Sequence, residues 1–141
     1  METISVNLGP RSYQILIGAG LLEELGGLLR QHHPATPRIA LVTDSIVGKF
    51  YKEKVVSILT QAGFSPWVVE IPAGEEHKNL AWLAFLYDKL IEGRIERRSP
   101  LIALGGGVIG DLAGLAAATF QRGLPFIQIP TTLLAQVDSS V

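Results

Sequence analysis

The spacing of apolar residues changes period repeatedly along this chain, and each change marks an element. TISVNL (3–8) and YQILIG (13–18) alternate apolar and polar positions around Gly9-Pro10-Arg11-Ser12, which predicts a β-hairpin. GLLEELGGLLRQHH (20–33) carries leucines at helical spacing until Pro34 and Pro37 stop it. RIALVTD (38–44) reads as a buried strand ending at Asp44. IVGKFYKEKVVSILTQAG (46–63) reads as an amphipathic helix with Gly63 at its C-terminal cap.

The alternation continues with a strand PWVVEI (66–71), a polar loop PAGEEHKN (72–79) and a helix LAWLAFLYDKLIEG (80–93). Then come a strand LIALG (101–105), a helix VIGDLAGLAAATF (108–120), a strand PFIQIP (125–130) and a helix start in TTLLAQVDSS (131–140). Strand and helix alternate over short loops, and the later strands are apolar throughout. That pattern predicts a doubly wound α/β domain, a mostly parallel sheet covered on both faces, preceded by the N-terminal hairpin.

Composition narrows the function classes. A chain of 141 residues, 48% hydrophobic and 18% charged, suits one globular domain with a sizeable core. Its net charge of −1 gives no drive towards nucleic acid or an anionic membrane. The absence of cysteine excludes disulfides and thiolate metal sites and fits a reducing compartment, so the cytoplasm is the expected location. No basic stretch followed by an apolar core opens the chain, so no signal peptide is expected. The run 101–120 approaches the length of a membrane helix. It carries Asp111 and five glycines, however, and a charge at that depth costs about 3 kcal/mol, so a membrane span is not expected.

The candidate chemistry gathers where strands end. In a parallel sheet, ligands bind beyond the carboxyl ends of the strands. Those ends carry Asp44, the loop 73–78, the glycines 105–107 and Thr131-Thr132. Gly105-Gly106-Gly107-Val108-Ile109-Gly110 fits G-x-G-x-x-G between a strand and a helix, where bare backbone can approach a diphosphate and helix-start N–H groups can point at it. A tight strand-to-helix turn explains the same triplet equally well. Gly110 and Gly114, with Ala113, Ala117 and Ala118, describe a slim helix pressed close to the sheet. Asp111, expected in the first helical turn, offers either compensation of the helix dipole or a carboxylate for a ligand hydroxyl. The layout is not that of an ordinary dehydrogenase, because Pro130-Thr131-Thr132 occupies the place of the usual ribose-binding acid. Asp44 can take that part instead.

Other polar groups read more plainly. Taken alone, AGEEHK (73–78) is a solvated charged turn. His32 and His33 end a helix and read as surface residues, and no ligand spacing for a metal site is present, so no metal-binding residue is assigned within the chain.

AGEEHK, GGGVIGDLAGLAAATF and RG-PFIQIPTTLLAQVDSSV, in this order of strands and helices, resemble the N-terminal NAD-binding domain of the 3-dehydroquinate synthase family, within the sugar phosphate cyclases. The resemblance spans essentially all of residues 1–141 and is densest over 101–141. It implies a Rossmann-like sheet and a cytoplasmic, homodimeric lyase of the shikimate pathway, leading to aromatic amino acids. Such an enzyme uses bound NAD and a divalent metal, zinc or cobalt, to cyclise a small sugar phosphate, 3-deoxy-D-arabino-heptulosonate 7-phosphate, with release of phosphate. Asp44 would then hold the adenosine ribose. Ala73, Gly74, Glu75, Glu76, His77 and Lys78 would line the NAD site. Gly106, Gly107, Val108, Ile109, Gly110 and Asp111 would bind the diphosphate and the nicotinamide side, Thr131 and Thr132 would hydrogen-bond the cofactor, and Asp138 would face the substrate. Asp111 and Asp138 are the candidate catalytic residues.

In the family a Gly-Gly-Lys-Thr segment follows Asp-Ser-Ser-Val, and the substrate lysines and metal ligands sit in a helical second domain. The resemblance therefore implies that these residues are the cofactor-binding half of a longer enzyme, inactive alone. Three alternatives stand beside it. A deoxy-inosose or valiolone cyclase shares the glycine loop. A metal-dependent glycerol or alcohol dehydrogenase shares the architecture but carries Gly-Gly-Gly-Ser at the turn. A stand-alone nucleotide-binding module would bind NAD and complete no reaction.

Overall fold

The computed structural model describes residues Met1–Val141. Its centre is a four-stranded parallel sheet built from β3 (Arg38–Asp44), β4 (Ser65–Ile71), β5 (Leu101–Gly105) and β6 (Phe126–Pro130), in the order β4-β3-β5-β6. Each β-α-β passage returns the chain in parallel, as crossover connections require. The helices are α1 (Leu21–His32), α2 (Val47–Gln61), α3 (Leu80–Glu92), α4 (Gly107–Thr119) and the short α5 (Leu133–Val137).

The two central strands explain the double winding. Ile39, Ala40, Leu41, Val42, Leu101 and Ile102 are all fully buried. Side chains alternate along a strand, so Ala40, Val42, Leu101 and Ala103 join the core under α3 and α4. Ile39, Leu41, Ile102 and Leu104 join the separate core under α1 and α2. Thr43, the buried polar residue of β3, donates its hydroxyl to the Leu104 carbonyl at 2.8 Å, so its polarity is satisfied inside the sheet.

The helix α4 lies flat because it is slim. Ala113, Ala116 and Ala117 are buried against the sheet, and a Cβ at Gly114 would stand 3.3 Å from the Phe126 ring. Arg30 locks α1 to the end of α2: its guanidinium donates to the carbonyls of Ala62 and Gly63 and lies 3.9 Å over the Phe64 ring. No helix is long and apolar enough to cross a membrane.

The N-terminal hairpin forms as the alternation predicts, with β1 (Glu2–Val6) antiparallel to β2 (Tyr13–Ile17), but as a two-stranded sheet of its own. Every other predicted element is present with ends shifted by a few residues at most. The helix after the glycines starts at Gly107, one residue earlier than its apolar pattern suggests. That places Asp111 fifth in the helix, in its second turn, and not in the first turn as expected from the sequence.

Candidate functional site

The strand order reverses between β3 and β5: the chain steps from β3 outward to β4, then crosses back to β5 on the other side. Helices on opposite faces diverge at such a point and leave a crevice beyond the carboxyl ends of the strands. Thr43 pairs with Leu104, so Asp44 and Gly105 leave the sheet side by side at this crevice.

Each segment around it is held by identifiable bonds. Asp44 Oδ1 accepts from the N–H groups of Ile46 and Val47, both at 2.8 Å, and so fastens the start of α2. No hydrogen bond within the chain engages its other carboxylate oxygen. Ser45, which the sequence did not single out, accepts from the Ala73 N–H at 3.0 Å and ties the end of β3 to the loop after β4. In that loop Gly74 has φ +130°, where a side chain would also collide with the Glu76 carboxylate. A 3-10 turn over Glu75–His77 follows, and Asn79 caps α3 by accepting from the Trp82 N–H. His77 packs edge-on against Trp82, and its Nδ1 is buried with no hydrogen-bond partner.

The glycines have different jobs. A Cβ at Gly105 would stand 2.8 Å from Ile109 Cβ, so that glycine lets the turn close on the core. Gly106 is the N-cap of α4 and offers no side chain to the first helical N–H groups, which lack intrahelical acceptors. A Cβ at Gly107 would meet only Ser139 Oγ, 3.9 Å away. The surface there is open, and the positive end of the α4 dipole faces it. The Ile109 side chain is in the core, so that residue can offer only its backbone.

Lys78 comes from the loop to meet Asp111: Nζ lies 2.5 Å from Asp111 Oδ2 and 3.8 Å from Glu75 Oε1. The hydrogen bond to Asp111 pushes the Lys78 pKa above its ordinary value, with the charges of Asp111, Glu75 and Asp138 acting in the same direction and burial against them. The reading of Asp111 as dipole compensation is thereby corrected: its partner is a lysine, and it sits past the first turn.

A cleft of about 280 Å³ opens among these groups. Of the predicted residues, Glu75, Lys78, Gly107, Val108, Asp111 and Asp138 line it, with Leu134 and Ala135 of α5 and Ser139 beyond it. Asp44, Ala73, Gly74, Glu76, His77, Gly106, Ile109, Gly110, Thr131 and Thr132 are not among the lining residues. Thr132 caps α5 by accepting from the Ala135 N–H at 3.1 Å. Thr131 Oγ1 and Ser139 Oγ are buried and without partners. Nothing in the sequence pattern distinguished Ser139; only the return of the chain after α5 brings it beneath Gly107 and Gly110. His32 and His33 lie at the end of α1 that precedes β3, away from the cleft, where burial, and then the neighbouring His32 charge, lowers the His33 pKa. No group of three or more histidine, aspartate or glutamate side chains is placed to hold a metal ion.

The donor set suits a nucleotide diphosphate. Bare backbone at Gly107, a helix start with unsatisfied N–H groups and the unpartnered Ser139 hydroxyl border a cleft that also holds the Glu75, Asp111 and Asp138 carboxylates. Sheet and cleft together define a Rossmann-like α/β domain with its ligand edge at the switch point.

Comparison with known proteins agrees. Residues 68–141 match the family model described as 3-dehydroquinate synthase N-terminal, and the chain belongs to the 3-dehydroquinate synthase family. It is 52% identical over its whole length to the 3-dehydroquinate synthase of Pelotomaculum thermopropionicum, of which it covers 38%. Among solved structures, 2-deoxy-scyllo-inosose synthase complexed with carbaglucose-6-phosphate, NAD+ and Co2+ superposes with a TM-score of 0.87. The identity is 26%, covering 98% of this chain and 37% of that one. The 2-epi-5-epi-valiolone synthase of Streptomyces hygroscopicus, with NAD+ and Zn2+ bound, gives 0.78 at 28% identity, covering 96% and 37%. The chain thus spans well under half the length of these relatives.

Proposed function

We propose that residues 1–141 are the NAD-binding domain of a 3-dehydroquinate synthase. In this reading the complete enzyme cyclises 3-deoxy-D-arabino-heptulosonate 7-phosphate to 3-dehydroquinate and releases phosphate. The observation that carries it is the switch-point cleft, where the open start of α4 meets Lys78, Asp111 and Asp138. The neighbours solved with NAD+ support the cofactor, and the high identity to a dehydroquinate enzyme favours that substrate over those of the inosose and valiolone cyclases.

The backbone N–H groups of Gly107 and Val108 would receive the diphosphate, Thr131 would satisfy its hydroxyl on the cofactor, and the free oxygen of Asp44 would take the adenosine ribose. Val108, Ile109 and Gly110 would contribute main chain, with Ala73, Gly74, Glu75, Glu76 and His77 forming the opposite wall. When bound, NAD supplies a hydride acceptor that is regenerated within the same cycle. Lys78 would hold the Asp111 carboxylate aimed at hydroxyls beside the cofactor, and Asp138, which also lines the cleft, would meet the substrate. The divalent metal, zinc or cobalt, would be held by residues of the complete enzyme beyond these 141, as the neighbours solved with Co2+ or Zn2+ support for the family. The 141-residue chain would therefore bind NAD and turn nothing over, and the complete enzyme would be a cytoplasmic homodimer.

Isothermal titration of the purified chain with NAD tests the reading. Saturable one-site binding without phosphate release from the sugar phosphate is expected. Absence of NAD binding at millimolar ligand would overturn the cofactor assignment, and product formation by the chain alone would overturn the half-enzyme assignment.

A further inference from the structure

The carboxyl ends of the strands carry the cleft, and the amino ends carry a different chemistry. Segments 33–38 and 93–100 lead into the two central strands, β3 and β5, and run together. The Ala40 N–H donates to the Pro100 carbonyl at 2.9 Å, and the Thr36 hydroxyl donates to the Arg98 carbonyl at 3.5 Å. The two segments hold Arg38, Arg94, Arg97 and Arg98 against one carboxylate, Glu96. None of these four guanidinium groups forms an ion pair or a hydrogen bond within the chain. The ion pairs of the protein all use lysine or histidine, and Arg30 is the arginine whose side chain is engaged.

The backbone fixes these side chains, in one case against local preference. Helix α3 ends with the Arg94 N–H donating to the Ile91 carbonyl and the Ile95 N–H to the Leu90 carbonyl, while Ile95 is buried. The left-handed position of this motif, φ +52°, is held by Arg94, although glycine adopts it without steric strain. Buried Ser99 then closes a turn on Glu96. Its N–H donates to the Glu96 carbonyl at 2.9 Å, and its hydroxyl accepts from the Glu96 N–H at 3.1 Å. Arg97 and Arg98 stand at the two corners of that turn, exposed. Arg38 shares the sheet face of Ala40 and Val42, the face that packs under α3, so all four arginines lie on the side where α3 ends.

Guanidinium forks held in this way match carboxylates, which they can meet with paired hydrogen bonds. The net charge of −1 gives the chain no general pull on anions, so attraction at this end is local. Glu96 among the arginines disfavours a nucleic-acid backbone, whose phosphates are closely and evenly spaced. A polypeptide can set an uncharged residue opposite Glu96, and exposed Pro34, Ala35 and Pro37 supply apolar contact for it.

We propose that this amino-end face is a docking surface for an acidic segment of another protein, with Arg94, Arg97 and Arg98 as its anchors and Arg38 at its inner edge. The face lies at the opposite end of the sheet from the cleft, and the inference does not depend on what the cleft binds.

Fluorescence anisotropy of labelled octaglutamate, titrated with the 141-residue chain, tests it. Saturable binding is expected, weakening as added salt screens the contact. Arg97→Glu should raise the dissociation constant about tenfold or more. Lys49→Glu makes the same charge change at an exposed, unpaired side chain on α2, at the other end of the sheet, and should leave it unchanged. Arg94→Gly should weaken binding while its melting temperature stays close to the parent's, because glycine suits the left-handed position. NAD affinity should be the same in Arg97→Glu and Arg94→Gly as in the parent. Unchanged peptide affinity in either arginine variant, or an equal loss in Lys49→Glu, overturns the proposal. Oligothymidylate binding as tightly as the peptide at the same salt overturns the choice of a polypeptide. Failure of the complete enzyme to bind the peptide overturns the separate partner and gives the face to another segment of that enzyme.

Discussion

Lys78 and Asp111 are joined by an ion pair of 2.5 Å that ties the loop after β4 to the second turn of α4. Both residues line the 280 Å³ cleft and also a neighbouring groove of about 300 Å³ bordered by Leu80, Leu83, Leu112 and Leu115. The pair forms the partition between the two. Its side chains are 40% and 43% exposed, and pairs so exposed contribute about 0–1 kcal/mol to stability. Its value lies in where it holds the Asp111 carboxylate.

Lys78→Met should therefore separate binding from folding. Thermal stability should change by no more than about 1 kcal/mol, while NAD affinity falls about tenfold or more through the loss of a charge-assisted bond. The pH dependence follows from the raised Lys78 pKa. A cation favoured by the folded state contributes fully below the ordinary value of 10.5 and loses that contribution as pH rises through the raised value. Unfolding curves at increasing alkaline pH should show a larger loss in the parent chain than in Lys78→Met, which keeps the raised Lys52 beside Glu70.

Asp44→Ala is expected to act on folding as well as binding. The carboxylate holds two N–H groups at the start of α2, and losing such a cap costs about 0.5–2 kcal/mol. Denaturant unfolding in the absence of NAD should show that cost. Asp44→Asn keeps an acceptor for the cap and removes the charge, so it should recover most of the stability and not the ribose contact. Equal loss of stability in both variants would show that the charge, and not the cap, matters.

The contrast between these residues shows how much the sequence could tell. The strands β3 and β5 were legible because burial on both faces leaves an uninterrupted apolar run, and the glycine triplet was legible because little else follows a buried strand so abruptly. The partition was not: Lys78 lies in a loop that looks solvated, and only the packing of α3 beside α4 brings it to Asp111. The turn position of Asp111 was misjudged because a glycine N-cap carries no side-chain signal, which hid the start of α4 at Gly107. Ser45 and Ser139 escape the sequence because their surroundings are fixed by strand order and by the return of the chain. The hairpin was predicted as an element, but alternation cannot say which face will find a core.

Two neighbouring glycines should respond in opposite ways. Gly105→Ala places a methyl group 2.8 Å from Ile109 Cβ at a fully buried strand end, and such overpacking costs about 1–3 kcal/mol. Gly107→Val adds its bulk where only Ser139 Oγ comes within 4 Å. It should leave the circular dichroism spectrum and the melting temperature close to the parent, and abolish NAD binding by filling the approach to the helix start. Unchanged NAD affinity in Gly107→Val would reduce the glycine triplet to a tight turn.

Thr131→Val makes the sharpest division between stability and function. Thr131 follows β6, its N–H donates to the Gly105 carbonyl at 3.0 Å, and its hydroxyl is buried with no partner. An unsatisfied buried polar group burdens the folded chain by about 1–3 kcal/mol, and an apolar group of the same shape removes that burden. The ligand-free variant should therefore be as stable as the parent or more so. If the hydroxyl exists to meet the cofactor, the variant should lose NAD affinity by about tenfold, and added NAD should raise its melting temperature less than it raises the parent's. A variant that is more stable and binds NAD as before would assign the hydroxyl to some other group packed against the end of β6.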